Sequence, residues 1–140
     1  MKRKASATWK GSLKEGNGVF SSGSGALSNL PYSFGRRFEN DPGTNPEELI
    51  AAAHASCFAM ALSAELGKLG ITPESLDATA TVTFEKQEAG FTITESHLDV
   101  TGKIPGADAA KWQQATEAAK KGCPISRVLN TKITLDSRLA

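Results

Sequence analysis

The stretch Asn45-Pro-Glu-Glu-Leu-Ile-Ala-Ala-Ala-His-Ala-Ser-Cys-Phe-Ala-Met-Ala-Leu-Ser-Ala-Glu-Leu-Gly-Lys68 decides the fold. Asn45 is a favoured helix N-cap, and Pro46 suits the first helical position. Glu47 and Glu48 favour the positive end of the helix dipole. Lys68 and Gly70 mark the other end. The pattern predicts one helix of about 23 residues, with no formal charge between Glu48 and Glu65. A helix that is apolar on most sides is buried on most sides. A 140-residue chain has little interior for such a helix. It is therefore expected to be central and buried, and to pack against a second subunit.

Outward from this helix the period changes. Residues 5–13 and 19–22 read as short strands, and Lys14-Glu-Gly-Asn-Gly18 carries hairpin turn residues. Pro31-Tyr-Ser-Phe-Gly-Arg-Arg-Phe38 reads as a third extended piece, followed by a loop over residues 39–44. Beyond Pro73, residues 76–86 and 91–103 alternate in period two, and Gln87-Glu-Ala-Gly90 joins them as a hairpin. Residues 107–121 read as an amphipathic helix. Cys123-Pro-Ile-Ser126 looks like a new helix start, and residues 132–138 form a last strand. The order β-β-β-α, then β-β-α-α-β, implies an α+β fold with antiparallel sheets, expected as a single domain over residues 1–140.

Composition excludes several function classes. Hydrophobic residues make up 39% and charged residues 22%, which predicts a folded chain. Sixteen Lys and Arg against fifteen Asp and Glu leave a formal charge of +1, too little excess to favour a nucleic-acid binder. No run is read as approaching the ~20 apolar residues that span a bilayer, so no membrane role is expected. The N-terminal Met1-Lys-Arg-Lys4 has no apolar core after it, so no secretory signal is expected. In such a chain two cysteines suggest thiols with chemistry rather than a structural staple.

Cys57 lies midway along the apolar helix and Cys123 at a helix start. Neither a CxxC motif nor a metal-ligand spacing joins them to His54 or His97, so neither a metal nor a cofactor is expected. A mid-helix cysteine reads equally well as a small buried hydrophobe. A thiol at a helix N-terminus has its pKa lowered by the dipole, which by local rules makes Cys123 the better nucleophile. His54 precedes Cys57 by three residues on the same helix face. A Cys–His nucleophile is conceivable there, but a packed histidine is the commoner outcome. Arg36 and Arg37, read in a strand, would point to opposite faces. Glu47 and Glu48 have a sufficient role in the helix dipole, and Glu39 reads as a solvated loop residue.

Two segments, Thr44-Asn-Pro-Glu-Glu-Leu-Ile-Ala-Ala-Ala-His-Ala-Ser-Cys-Phe58 and Gly122-Cys-Pro-Ile-Ser126, resemble the OsmC/Ohr family of thiol peroxidases, and most of all its osmotically inducible OsmC branch. The likeness extends over essentially the whole chain. It includes Ala7-Thr-Trp-Lys-Gly11, Tyr32-Ser-Phe34, Arg37-Phe-Glu39 and Lys132-Ile-Thr-Leu-Asp136. Ser56 stands where relatives often have Ala. The resemblance implies an intertwined α+β homodimer that reduces organic hydroperoxides, and hydrogen peroxide less well. It implies Cys57 as the peroxidatic thiol, Cys123 as the resolving thiol, Arg37 rather than Arg36 as the catalytic arginine and Glu47 as its carboxylate partner. It further implies recycling of a Cys57–Cys123 disulfide by a lipoylated protein or other dithiol, which suits a cytoplasmic location.

The groups themselves suggest how this would work. A thiolate attacks the peroxide, and burial would raise the Cys57 pKa, so a cation is needed. Arg37 keeps its charge, and its fork can hold a thiolate and a carboxylate together. Glu47 lies ten residues before Cys57, about 15 Å along a helix axis. Two antiparallel copies of the helix would bring Glu47 of one chain toward Cys57 of the other, which predicts a shared site. Two other readings stand beside this one. The first is a dimeric stress protein that binds an apolar ligand with inert cysteines. The second is a Cys57–His54 acyl-transfer enzyme.

Overall fold

A computed structural model describes every residue from 1 to 140. The elements run β1 (Ala5–Lys10), β2 (Asn17–Ser22), β3 (Leu30–Tyr32), α1 (Phe34–Phe38), α2 (Pro46–Lys68), β4 (Ser75–Gln87), β5 (Gly90–Lys103), α3 (Ala109–Gly122), α4 (Pro124–Val128) and β6 (Lys132–Leu139). The fold is α+β, with two three-stranded sheets and a long helix. The chain divides into two units, Met1–Leu49 and Ile50–Ala140.

In the first unit, β1 pairs antiparallel with β2 (Trp9 opposite Gly18), and β2 with β3 (Gly18 opposite Tyr32). Gly18 lies under two rings. A Cβ there would stand 2.5 Å from the Tyr32 ring and 2.8 Å from that of Trp9, so only glycine lets these rings close over the strand. The two rings lie 5.3 Å apart.

The extended reading of residues 31–38 holds only through Tyr32, and Arg36 and Arg37 lie in a helix instead. Ser33 is an N-cap whose hydroxyl accepts from the Arg36 N–H at 3.4 Å. Phe34 and Phe38 then stack one helical turn apart, with centroids 4.8 Å apart. A cap and an i,i+4 aromatic pair turn the segment into a short helix. The two arginines are therefore successive helix residues and not opposite faces of a strand. Asn45 joins this helix to the next. Its Nδ2 donates to the Arg36 carbonyl at 3.1 Å, and its Oδ1 accepts from the Glu48 N–H at 2.8 Å.

In the second unit, β4 and β5 form a long antiparallel hairpin with an irregularity at Thr83/Phe84. β6 joins β5 in parallel, from Glu95 opposite Lys132 to Gly102 opposite Leu139. This departs from the all-antiparallel expectation. The crossover through α3 and α4 returns the chain to the end of β5 where that strand enters, which is the connection parallel strands require. Along β5 burial alternates, so that Ser96, Leu98, Val100 and Gly102 point inward. Leu98 and Val100 form one core with Phe58, Leu62 and Leu66 of α2, Trp112, Ala115 and Ala119 of α3, and Cys123. Each large apolar side chain among these contributes about 1.5–3 kcal/mol by burial.

Within one chain, α2 is not buried on most sides. Its buried face is His54, Phe58, Leu62 and Leu66, at four-residue spacing. Ala52, Ala53, Ser56, Met60, Ser63, Ala64 and Gly67 are exposed. By length and composition α2 is also apolar enough to cross a membrane, which corrects the expectation that no run approaches that size. Its alanines raise the mean hydropathy without the bulky side chains that mark a span at first reading. Its large apolar side chains form core in the second unit.

Candidate active site

The first unit holds a guanidinium–carboxylate pair. Arg37 Nη2 donates to Glu47 Oε1 at 2.8 Å, and Nε donates to Oε1 at 3.1 Å and to Oε2 at 3.4 Å. The Glu47 side chain is 10% exposed and that of Arg37 38% exposed, so the carboxylate is desolvated while the guanidinium faces outward. Asn45 sets this geometry, because it ties the end of α1 to the first turn of α2, where Glu47 lies. Arg37 Cζ stands 5.3 Å from the Phe38 ring centroid, a further restraint on the guanidinium. Arg37 also lines a pocket of about 180 Å³ with Trp9, Leu13, Tyr32, Phe34 and Phe38. Arg36 is used differently: its Nη1 donates to the Pro31 carbonyl at 2.6 Å.

The second unit holds both thiols. The Cys123 S–H donates to Cys57 Sγ at 2.8 Å. Cys57 is partly accessible and Cys123 is fully buried. Burial pushes the Cys57 thiol pKa up, and so does the adjacent Cys123, while the Ile125 backbone N–H pulls it down. That N–H belongs to the first turn of α4, where no intrahelical acceptor exists for it.

Cys123 does not stand at a simple helix N-terminus. Cys123 is the N-cap of the five-residue α4, but also the C-cap of the fourteen-residue α3, with its N–H on the Ala119 carbonyl at 2.8 Å. The negative end of the longer helix opposes the positive end of the shorter one. Cys123 is buried between opposed dipoles, and the accessible thiol is Cys57.

His54 is fully buried, and burial lowers its pKa, so it is held neutral. Its Nδ1 is 2.7 Å from Ser96 Oγ and its Nε2 is 2.8 Å from Ser126 Oγ. Both ring nitrogens are thus occupied by hydroxyls, and neither serves Cys57 as a base. The acyl-transfer reading loses its catalytic pair. His97, on β5, bonds Thr134 Oγ1 at 2.7 Å and lies away from the thiols in role.

Of the four residues implied by resemblance, the structure pairs Arg37 with Glu47 in one unit and Cys57 with Cys123 in the other. The sequence reading missed Ile125, Ser96, Ser126 and Asn45 as contributors. Asn45 was legible only as a cap. Ile125 acts through its backbone, which side-chain chemistry does not reveal. The serines carry no local signal, because their partner is remote in sequence.

An α+β fold that sets two cysteine thiols against each other, one accessible and one buried, defines the class of dithiol proteins. Within that class the match is specific. A family model described as OsmC-like protein matches residues 38–138. The chain is 50% identical to Peroxiredoxin OsmC of Escherichia coli over 137 residues, covering 98% of this chain and 96% of the relative. It is 33% identical to an Organic hydroperoxide resistance protein of Xanthomonas axonopodis over 100 residues, 70% of this chain and 68% of the relative. The crystal structure of the organic hydroperoxide resistance protein OhrB of Bacillus subtilis superposes with a TM-score of 0.73 at 27% identity, covering 98% of each chain. The chain belongs to the OsmC-like family.

Proposed function

We propose that the protein is a thiol-dependent peroxidase that reduces organic hydroperoxides to alcohols, and hydrogen peroxide less well. The observation that carries the reading is the apposition of an accessible Cys57 and a buried Cys123 at 2.8 Å. The names of the relatives, a peroxiredoxin and organic hydroperoxide resistance proteins, support catalysis over ligand storage.

In the proposed reaction the Cys57 thiolate attacks the terminal oxygen of R–O–O–H. The O–O bond breaks, the alkoxide leaves and takes a proton as ROH, and Cys57 becomes a sulfenic acid. The Cys123 sulfur then attacks the sulfenic sulfur. A disulfide forms, and hydroxide leaves with a proton as water. The two thiols supply the two electrons that reduce the peroxide. Apposition makes the second step intramolecular, which favours it without an added catalyst. A dithiol, of which a dihydrolipoyl protein is the proposed example, exchanges with the disulfide and restores both thiols. That requirement suits the cytoplasm.

The first step needs help, because both burial and Cys123 oppose the Cys57 thiolate. Arg37, oriented by Glu47, is the proposed source of positive charge for thiolate and peroxide. The ten-residue separation of Glu47 and Cys57 in α2 favours a homodimer in which Arg37 and Glu47 of one protomer serve Cys57 of its partner. The exposed, uncharged stripe of α2 from Ala52 to Gly67 is the proposed seat of the second copy. The 140 residues are taken as a single functional domain.

The test counts thiols. One equivalent of cumene hydroperoxide added to the reduced protein is expected to consume both thiols, and to consume none by disulfide formation in Cys57→Ser. Cys123→Ser should stop at a sulfenic acid after one turnover. Arg37→Ala should slow the first step at least about tenfold, the scale of one lost transition-state contact. It should also move the pH–rate midpoint upward, because the Cys57 thiolate then lacks its cation. Retention of both thiols in the unsubstituted protein would remove the peroxidase reading.

A further inference from the structure

We infer that His54 is a positioning residue: its bonds to Ser126 and Ser96 hold α4 where Cys123 Sγ and the Ile125 N–H meet the Cys57 sulfur. This rests on the reading of Cys57 and Cys123 as a redox pair. The argument begins with how little else holds α4. It has five residues, Pro124–Val128, far fewer than an isolated helix needs to persist. The side chain of its N-cap, Cys123, makes no capping hydrogen bond to the helix. Pro124, Arg127 and Val128 are exposed, and Val128 is 72% exposed. Two side chains anchor it inward: Ile125 against the core, and Ser126 on His54.

The element so weakly held carries two contacts to one sulfur. Cys123 precedes it as the cap and reaches Cys57 Sγ at 2.8 Å. Ile125, in its first turn, presents its N–H to Cys57. His54 lies one turn before Cys57 on α2, so one helix face presents both the thiol and the pin. Ser96, fully buried on β5, takes the other ring nitrogen. With both nitrogens bonded the ring cannot rotate, and the distance from α2 to α4 at Ser126 is set. A shift of α4 by about 1 Å is enough to cost an aligned reaction about a hundredfold.

The test uses the geometry of amide replacements. In His54→Asn the amide nitrogen falls near the former Nδ1 and reaches Ser96 but not Ser126. In His54→Gln it falls near the former Nε2 and reaches Ser126. The full-length proteins are reduced and then oxidised in parallel with diamide and with one equivalent of cumene hydroperoxide, and disulfide closure is followed by quenched mass analysis. Closure in His54→Asn is expected to slow about 10- to 100-fold with either oxidant. His54→Gln should recover most of that loss, although both variants lower Tm. Ser126→Ala, a smaller change, should show the same slowing, and Ser96→Ala a lesser one. A merely structural histidine would lower Tm in both His54 variants and leave their closure rates together, which would overturn the inference. Should diamide but not hydroperoxide close the disulfide in the unsubstituted protein, the peroxidase reading fails and the positioning role is still decided by the variants. Should the unsubstituted protein respond to both oxidants while Ser126→Ala and His54→Asn close the disulfide as fast as the unsubstituted protein does, the positioning role alone fails.

Discussion

Burial and the adjoining Cys123 push the Cys57 pKa up, and one backbone N–H from Ile125 pulls it down. This balance at a single sulfur is why the proposed reading calls on Arg37 as an external cation, and neutral His54, with both nitrogens on serines, offers Cys57 no base. His54 has a separate consequence for stability. Burial holds its pKa below the ordinary value of 6.5 in the folded chain. Below that pH the unfolded chain binds a proton that the folded chain does not, so stability falls as pH falls from about 6.5 toward the depressed folded value. Above the ordinary value the burial carries no protonation cost. Thermal unfolding at pH 7.5 and pH 5.5 is expected to show a larger loss of Tm in the unsubstituted protein than in His54→Gln, which has no titrating ring at this position. Equal losses in the two proteins would mean that the ring is protonated without penalty in the fold.

Among the elements, α2 was the most legible. Asn45, Pro46, Glu47 and Lys68 mark its ends in sequence, and the helix runs over Pro46–Lys68. The β4–β5 hairpin followed from period-two alternation and a Gly turn. The short α1 was hidden, because its signals, a Ser33 cap and a Phe34–Phe38 pair, compete with a strand pattern of the same length. The parallel pairing of β6 was hidden for another reason: strand direction depends on the path of α3 and α4, and no residue of β6 encodes it. The site divides in the same way. Cys57, Cys123, Arg37 and Glu47 came from family motifs, whereas Ile125, Ser96 and Ser126 act only through three-dimensional apposition. Asn45 links the two kinds of information. It is a cap in sequence, and in space it fastens the Arg36 carbonyl to the start of α2. Asn45→Ala is therefore expected to cost about 1 kcal/mol as a lost N-cap. It should also loosen the Arg37–Glu47 pair and lower the peroxide rate several-fold at temperatures where the variant remains folded. Denaturant titration and stopped-flow peroxide consumption measure the two effects separately, and a stability loss with an unchanged rate would confine Asn45 to capping.

At the scale of the whole molecule, α2 presents a long exposed apolar surface. Its buried face is core of the second unit, yet Ala52, Ala53, Ser56, Met60, Ser63, Ala64 and Gly67 remain exposed along the other side, and Met60 is 78% exposed. Small residues along a helix allow close approach of a second helix, and an uncharged stripe of this length favours covering by another apolar surface over exposure to water. In the proposed reading the ten-residue offset between Glu47 and Cys57 gives the covering a function, since an antiparallel second copy would exchange the Arg37–Glu47 pair between protomers. Paired charges placed on the stripe test both ideas together. Met60→Glu with Ala64→Glu would put four carboxylates into a two-fold interface, where like charges repel and each loses its hydration. The variant is expected to sediment as a monomer. Its Cys57 and Cys123 lie within one chain, so diamide should still close the disulfide at near the normal rate. Hydroperoxide turnover should fall by more than about tenfold, because the accessible thiol would no longer meet an arginine from its partner. A monomer that keeps full turnover would place Arg37 and Cys57 of the same chain in one site, and the exchange of residues between protomers would then have no part in the chemistry.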